Sequence, residues 1–260
     1  MKLTIDEIRF FKENGYLIKR NILDKALMAE ARERLWRFLP EGRSPKRPNS
    51  LIGPFSEEEE DRSHPNEIYK FRVNYRSIGH EPWMVRLLAK DSNVWSMAEQ
   101  MLGKGCLQEP DRIRGIYCTL PFGNYPKPQL TCHVDGHPFH LGVVGYIDDV
   151  APTGGSFTVW PGSHKHFYYA FNSQYKHDRN EEYRLICEYY NGHQPVDCYG
   201  ESGDIVFWHH RLAHMASPNN TCNVRQAVLY DFKKTDIDRT QLGPPSDNMW
   251  EDWSTELRDS

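Results

Sequence analysis

The stretch TCHVDGHPFH, residues 131–140, places three histidines and an aspartate within ten positions. In an extended segment residues i and i+2 point to one face, so His133 and Asp135 project together as one imidazole nitrogen and one carboxylate oxygen. A metal site needs at least a third donor. Downstream, GDIVFWHHRLAHMASPNNTCNVRQAVLYDF (203–232) reads as strand, turn, strand and carries His209, His210 and His214. Two imidazoles and one carboxylate on one octahedral face leave three positions open, which suits non-heme Fe(II) chemistry with dioxygen. On residue types alone the third donor stays open among the downstream histidines, and His137 or His140 could replace His133 or Asp135. A helical reading would set His210 and His214 on one face, as in zinc hydrolases. Against it, DIVFWHH is β-branched and aromatic, and the glutamate of an HExxH motif is absent.

The elements that must hold these groups change in texture near residue 112. TIDEIRFFKENGYLI opens with Thr4 as N-cap and Glu7 three residues on, a capping box. Ile5, Ile8 and Phe11 keep helical spacing, and Gly15 stops the helix. DKALMAEARERLWRFL (24–39) repeats the pattern, and 82–102 predicts two short helices closed by Gly103. Residues 40–65 form a long loop whose EEEED run (57–61) is expected to be solvated. From 112 onward, RIRGIYCTL, QLTCHVD, HLGVVGYID, SFTVWPG, PVDCYG, DIVFWHH and RQAVLYDF are short β-branched or aromatic runs broken by Pro, Gly and Asn. Such runs suggest an antiparallel sandwich or barrel, not βαβ units. The chain therefore reads as one domain over 1–260. It has a mainly helical part (1–104), a β-core (105–235) with a tyrosine-rich, partly helical insertion (164–194), and an irregular tail (236–260). In WPGSH, proline and glycine make a turn, with His164 in a turn role. Asp204 orders the start of its strand, and the tyrosines of the insertion are expected to pack.

Composition excludes several classes. The formal charge is −4 with both signs interspersed, which leaves no basic face for nucleic acid. No apolar run reaches the roughly 20 residues that span a bilayer, and MKLTIDEIRFF is not a signal peptide. The six cysteines show no CxxC pairing and are expected to be reduced thiols in a cytoplasmic protein. The NNT sequon (219–221) is a coincidence without a secretion signal.

The chain resembles the phytanoyl-CoA dioxygenase (PhyH) family of Fe(II)/2-oxoglutarate-dependent oxygenases. The resemblance begins at LTIDEIRFFKENGYLI, continues at HVDGHPF (the HxD motif) and at IDDVAPTGGSFTVWPGSHK, and ends in SGDIVFWHHRLAHMASPNNTCNVRQAVLYDF. In that last stretch His214 lies eleven residues after Gly203, Asn219 five after His214, and Arg225 eleven after His214, which are the family's spacings. The resemblance covers about residues 3 to 232. It implies His133, Asp135 and His214 as iron ligands and Arg225 as the partner of the distal carboxylate of 2-oxoglutarate, a task for a planar guanidinium. Asn219 would brace the loop between His214 and Arg225.

The sequence departs from the family at three places. Ala216 stands where a serine is common, with Ser217 one place later. Val144 stands for a tryptophan, and the lysine usually found before the turn in CTLPFGNYP is missing. Tyr146 shares a strand face with Val144 and is a candidate replacement contact to the co-substrate, set against a packed core tyrosine. The implied fold is an all-β core with helices: a double-stranded β-helix, the cupin-like jelly roll, preceded by N-terminal helices. The implied reaction is hydroxylation of an unactivated C–H bond of a small molecule with dioxygen, releasing succinate and CO2. Asp135 argues against halogenation, while desaturation, epoxidation and ring closure stay open. No basic cluster is evident for a nucleotide tail, which favours a smaller metabolite over a CoA thioester. The alternatives carried are a metal-binding jelly roll without oxygenase activity and a ligand-binding sandwich without metal.

Overall fold

The structure is a computed structural model that describes residues 1–56, 59, 71–129, 131–176 and 179–260. The chain starts with helix α1 (Ile5–Asn14), strand β1 (Tyr16–Lys19) and helix α2 (Lys25–Trp36). The Thr4/Glu7 capping box forms, and Gly15 at φ 78° ends α1 in the left-handed conformation that glycine adopts without steric cost. Strand β2 (Arg72–Tyr75) and helices α3 (Pro82–Leu87) and α4 (Ser92–Leu102) follow, with Gly103 as the α4 C-cap. Then come strands β3 (Ile116–Thr119), β4 (Leu141–Tyr146) and β5 (Phe157–Val159), and helices α5 (Ser163–Tyr169) and α6 (Glu181–Asn191). Strands β6 (Val196–Asp197), β7 (Ile205–His209), β8 (His214–Ala216) and β9 (Arg225–Phe232) complete the sheets, before helices α7 (Ile237–Thr240) and α8 (Thr255–Asp259).

Two antiparallel sheets result, in the orders β1-β7-β4-β9-β3-β2 and β6-β5-β8. Side chains alternate across the large sheet with period two. Leu141, Val143, Ile205, Phe207, Ile116, Cys118 and Val228 face a core shared with α1–α4. Val144, Tyr146, Val206, Trp208, Tyr117, Ala227 and Leu229 face inward with Phe157 and Val159 of the small sheet. Both faces of β4 and β7 are thus covered, which is why these strands read as unbroken apolar runs. The jelly-roll expectation and the leading helices hold.

Several local expectations are corrected. The segment between His209 and Arg225 is not one turn: β8 leaves the large sheet and pairs with β5 of the small one. QLTCHVD is no strand, and in the described part of it only His133 bridges, to His214. Strands β1 and β2, from the helical third, join the large sheet at its two edges. The tail is not irregular throughout. It carries α7 and α8, and Trp250 and Trp253 pack on Phe11 of α1 at ring separations of 6.1 and 5.7 Å. Most of the EEEED run lies outside the described residues, but Glu59 accepts hydrogen bonds from Arg43 Nε at 2.6 Å and Nη2 at 2.7 Å. Among the described residues no helix is long and apolar enough to cross a membrane.

Candidate metal centre

His133 and His214 stand opposite each other in an antiparallel bridge, with His214 N donating to His133 O at 2.9 Å. Residues facing each other across such a bridge project to one side, and their rings lie 4.7 Å apart. Asp135, two residues on, joins them. Its carboxylate lies 3.6 Å from His214 Nε2 and 4.0 Å from His133 Nε2, and one donor atom of each residue falls within 4.8 Å of the others. His214 Nδ1 meets Leu212 O at 2.8 Å and so carries the proton, leaving the Nε2 lone pair for a metal. Desolvation, then the neighbouring His214, lowers the His133 pKa to about 3, which keeps it a neutral donor. Burial alone would raise the Asp135 carboxyl, but Arg114 and His214 outweigh it and hold it well below its ordinary value.

Arg114, Asp231 and His137 form a charged buttress behind Asp135. Arg114 Nη1 donates to Asp135 Oδ2 at 3.1 Å and to Asp231 Oδ1 at 3.5 Å, and His137 Nε2 donates to Asp231 Oδ2 at 2.8 Å. Such outer partners fix the orientation of a ligating carboxylate. His137 therefore stands one step back from the candidate metal, held by Asp231 and stacked on Phe139. The other histidines go elsewhere. His140 packs on Tyr175 with its ring 4.2 Å away. His209 stacks on Trp253, His210 packs on Tyr175, and His164 donates to Lys12 O, tying the WPGSH turn to α1. Asp204 receives Arg20, Asn21 N and Glu201 N, and Asn219 donates to Thr119 O and Asn223 O. Both are braces, as expected.

A cavity of about 1150 Å³ opens in front of His133 and Asp135, while Arg225 borders a second cavity of about 520 Å³. The wall of the larger includes Tyr117, Thr119, Ser217 and the arginines Arg72, Arg76, Arg179 and Arg184. The chain showed no basic cluster in sequence, yet folding gathers four arginines from β2, the turn after it, the segment before α6 and α6 itself, of which Arg184 is paired with Glu181 and Glu188. Strand register adds a second feature. Arg72 faces Thr119 and Thr119 faces Arg225 across β2, β3 and β9, so the three share one row on the inward face.

Arg225 is buried, and its Nη1 donates to Tyr117 O at 3.3 Å. Its Nε and the Thr119 and Ser217 hydroxyls have no partner within the protein. Desolvation, reinforced by Arg72, lowers the Arg225 pKa to about 10. A buried cation beside unfilled donors fits a bound carboxylate, and two imidazoles with a carboxylate fit Fe(II). The tyrosine candidate fares differently. The Tyr146 hydroxyl donates to Cys198 O and accepts from Phe157 N, so it is committed to joining strands, and the whole side chain is buried.

The sequence profile described as Phytanoyl-CoA dioxygenase (PhyH) matches residues 11–227. No curated protein matches the chain. Among solved structures, the non-heme alpha ketoglutarate dependent carbocyclase SnoK from nogalamycin biosynthesis superposes with a TM-score of 0.58 at 21% identity, over 96% of this chain and 95% of that one. EctD from S. alaskensis with bound Fe gives 0.59 at 18% identity, over 94% and 80%. HygX from Streptomyces hygroscopicus with nickel and 2-oxoglutarate bound gives 0.54 at 15%, over 90% and 88%. At these identities the likeness is one of fold.

Proposed function

Because the chain belongs to the phytanoyl-CoA dioxygenase family and is an Fe(II)/2-oxoglutarate-dependent dioxygenase, we propose that His133, Asp135 and His214 hold the iron and Arg225 the distal carboxylate of 2-oxoglutarate. The observation that carries this reading is the convergence of the three donor atoms within 4.8 Å at the head of the cavity. The reaction we assign is hydroxylation of an unactivated C–H bond of a small-molecule substrate. When bound, the metal and co-substrate supply oxidation by dioxygen, with succinate and CO2 as coproducts.

The chain's own residues do the rest. His133 presents a neutral nitrogen, His214 turns its Nε2 to the site, and Arg114 keeps Asp135 ionised and oriented. An iron held by these three donors from one side would stay accessible to the co-substrate and dioxygen from the cavity. Arg225, with the Thr119 and Ser217 hydroxyls, offers fixed donors to a carboxylate, as a preorganised cleft requires. Ser217 takes the place of the serine that Ala216 lacks, and Arg72 supplies the cation that the absent lysine would have given. The inward walls of Trp208, Phe157 and Val144 exclude water beside His214. A cytoplasmic location accords with the six unpaired thiols.

The test needs no substrate. Fe(II) and then 2-oxoglutarate are added to metal-free protein without oxygen, and the weak visible charge-transfer absorption of a chelated 2-oxo acid is followed. The parent protein should develop the band, Asp135→Ala should not, and Arg225→Ala should need far more 2-oxoglutarate. Iron binding without a band at any concentration would overturn the site and leave a metal-binding jelly roll.

A further inference from the structure

Helix α6 lies along the segment that carries His133. Its residues Tyr183, Cys187 and Asn191 are spaced four apart and share one face. Each meets that segment in turn. Asn191 Oδ1 accepts from Cys132 N at 2.8 Å and the Tyr183 hydroxyl accepts from Val134 N at 3.4 Å, and these two bonds bracket Cys187, which packs in one cluster with Cys132. Cys132, Phe167, Tyr183, Tyr190 and Met215 form one apolar cluster, with Cys187 packed against it. On the opposite face of α6 Leu185 and Tyr189 are exposed, while Arg184 pairs with Glu181 and Glu188 along the cavity rim. Both thiols border the metal-facing cavity, within reach of small reagents. Neither has a role in the proposed reaction.

We propose that Cys132 and Cys187 are a redox modification site, a reversible disulfide that fastens α6 across the metal-ligand segment. With Asn191 and Tyr183 bonded to the segment on either side, Cys187 is held opposite Cys132, so local adjustment of the two side chains suffices to reach the roughly 2.05 Å of a sulfur–sulfur bond. The oxidant is a peroxide. The Cys187 sulfur attacks one peroxide oxygen, the O–O bond breaks, and Cys187 sulfenic acid forms with release of one water. The Cys132 sulfur then displaces the sulfenic oxygen, which leaves as a second water as the S–S bond closes. In sum two thiols lose two electrons and two protons, and one peroxide becomes two waters. Cys187 is the attacking member because it is half-exposed, whereas Cys132 is buried. The linkage would tie the insertion to the residue next to His133 and stiffen the cavity wall.

The modification does not depend on the oxygenase reading, because it can be tested on metal-free protein. Full-length reduced protein is treated with stoichiometric hydrogen peroxide, alkylated and mapped by peptide mass spectrometry. The expected result is that two of the six thiols become protected, in a linked peptide pair joining 132 to 187 that dithiothreitol releases. Amide hydrogen exchange along α6 should slow in the oxidised protein. Cys187→Ser should leave Cys132 alkylatable, Cys132→Ser should leave a Cys187 sulfenic acid that dimedone traps, and Cys222→Ser should change nothing. Both thiols still alkylatable after peroxide, Cys187 overoxidised beside an intact Cys132, or linkage of either to another cysteine would each overturn the proposal.

Discussion

Substituting Arg225 with methionine removes a cation that burial has made costly, and its effect should change sign with the state of the protein. In the ligand-free chain, desolvation lowers the Arg225 pKa from 12.5 to about 10, a penalty on the order of 3 kcal/mol. The methionine variant escapes that penalty and loses the 3.3 Å bond to Tyr117 O, a loss of about 1 kcal/mol. Ligand-free Arg225→Met should therefore be more stable than the parent by about 2 kcal/mol, a rise in Tm of about 5 °C. Toward 2-oxoglutarate the sign reverses. Removing one partner of a buried ion pair costs roughly 3–5 kcal/mol, so the Kd should rise by roughly two to three and a half orders of magnitude. Arg225→Lys keeps the charge without the planar fork and should weaken binding by about tenfold.

Scanning fluorimetry of metal-free protein reads the first effect, and the oxygen-free charge-transfer titration reads the second. In the parent, added Fe(II) and 2-oxoglutarate should raise Tm as the co-substrate concentration rises, and in Arg225→Met they should raise it little. A 2-oxoglutarate Kd within about threefold of the parent would refute the assignment, since less than about 1 kcal/mol is too little for a lost buried pair. A ligand-free variant less stable than the parent would show that the protein itself satisfies the guanidinium.

Three further outcomes are expected. Arg114→Gln, which leaves Asp135 without its cation, should weaken iron binding by about 10- to 100-fold, measured by competition with a metal indicator, and an unchanged affinity would remove Arg114 from the buttress. A Cβ at Gly142 would sit 2.1 Å from the Trp208 ring, which in turn packs 5.6 Å from the His214 ring. Gly142→Ala should cost about 1–3 kcal/mol in urea unfolding and weaken the metal site with it, and a neutral result would mean that the ring moves freely. Burial lowers the His164 pKa from 6.5 to about 4. Above pH 6.5 the imidazole is neutral folded or unfolded and stability is complete. Between 6.5 and about 4 the unfolded chain takes up the proton first, so stability should fall by up to about 1.4 kcal/mol per pH unit. His164→Gln keeps a donor for Lys12 O and should flatten that limb of the urea midpoint against pH, whereas an identical limb would assign the acid sensitivity to other groups.

How much of this was legible in the sequence follows from where each signal sits. The α1 boundaries were readable because Thr4, Glu7 and Gly15 act locally, and β4 and β7 because both their faces are apolar. His133 and Asp135 announced themselves by spacing, but His214 rested on family spacing, since three histidines crowd the turn and only the crossing of β8 to the small sheet selects one. Strand β2 (RVNY) alternates polar and apolar over only four residues, too short a run to stand out in the helical third, and Arg72 went unseen with it. Arg114 and Asp231 are 21 and 96 residues from Asp135 in the chain, and the pairing of β3 with β9 is what unites them.

One clue was present all the same. In RQAVLYDF the residues Arg225, Ala227, Leu229 and Asp231 alternate, so Asp231 shares the inward face of Arg225. A carboxylate on a buried strand face requires a cation, and Arg114 is that cation. On the proposed assignment, one face of β9 carries Arg225 for the co-substrate at one end and the buttress of Asp135 at the other. A one-residue slip of β9 would turn both away from the cleft together. The register of this strand is therefore under functional as well as packing constraint, and a β-bulge placed between Ala227 and Leu229 should uncouple 2-oxoglutarate binding from iron binding, which the two titrations would read separately.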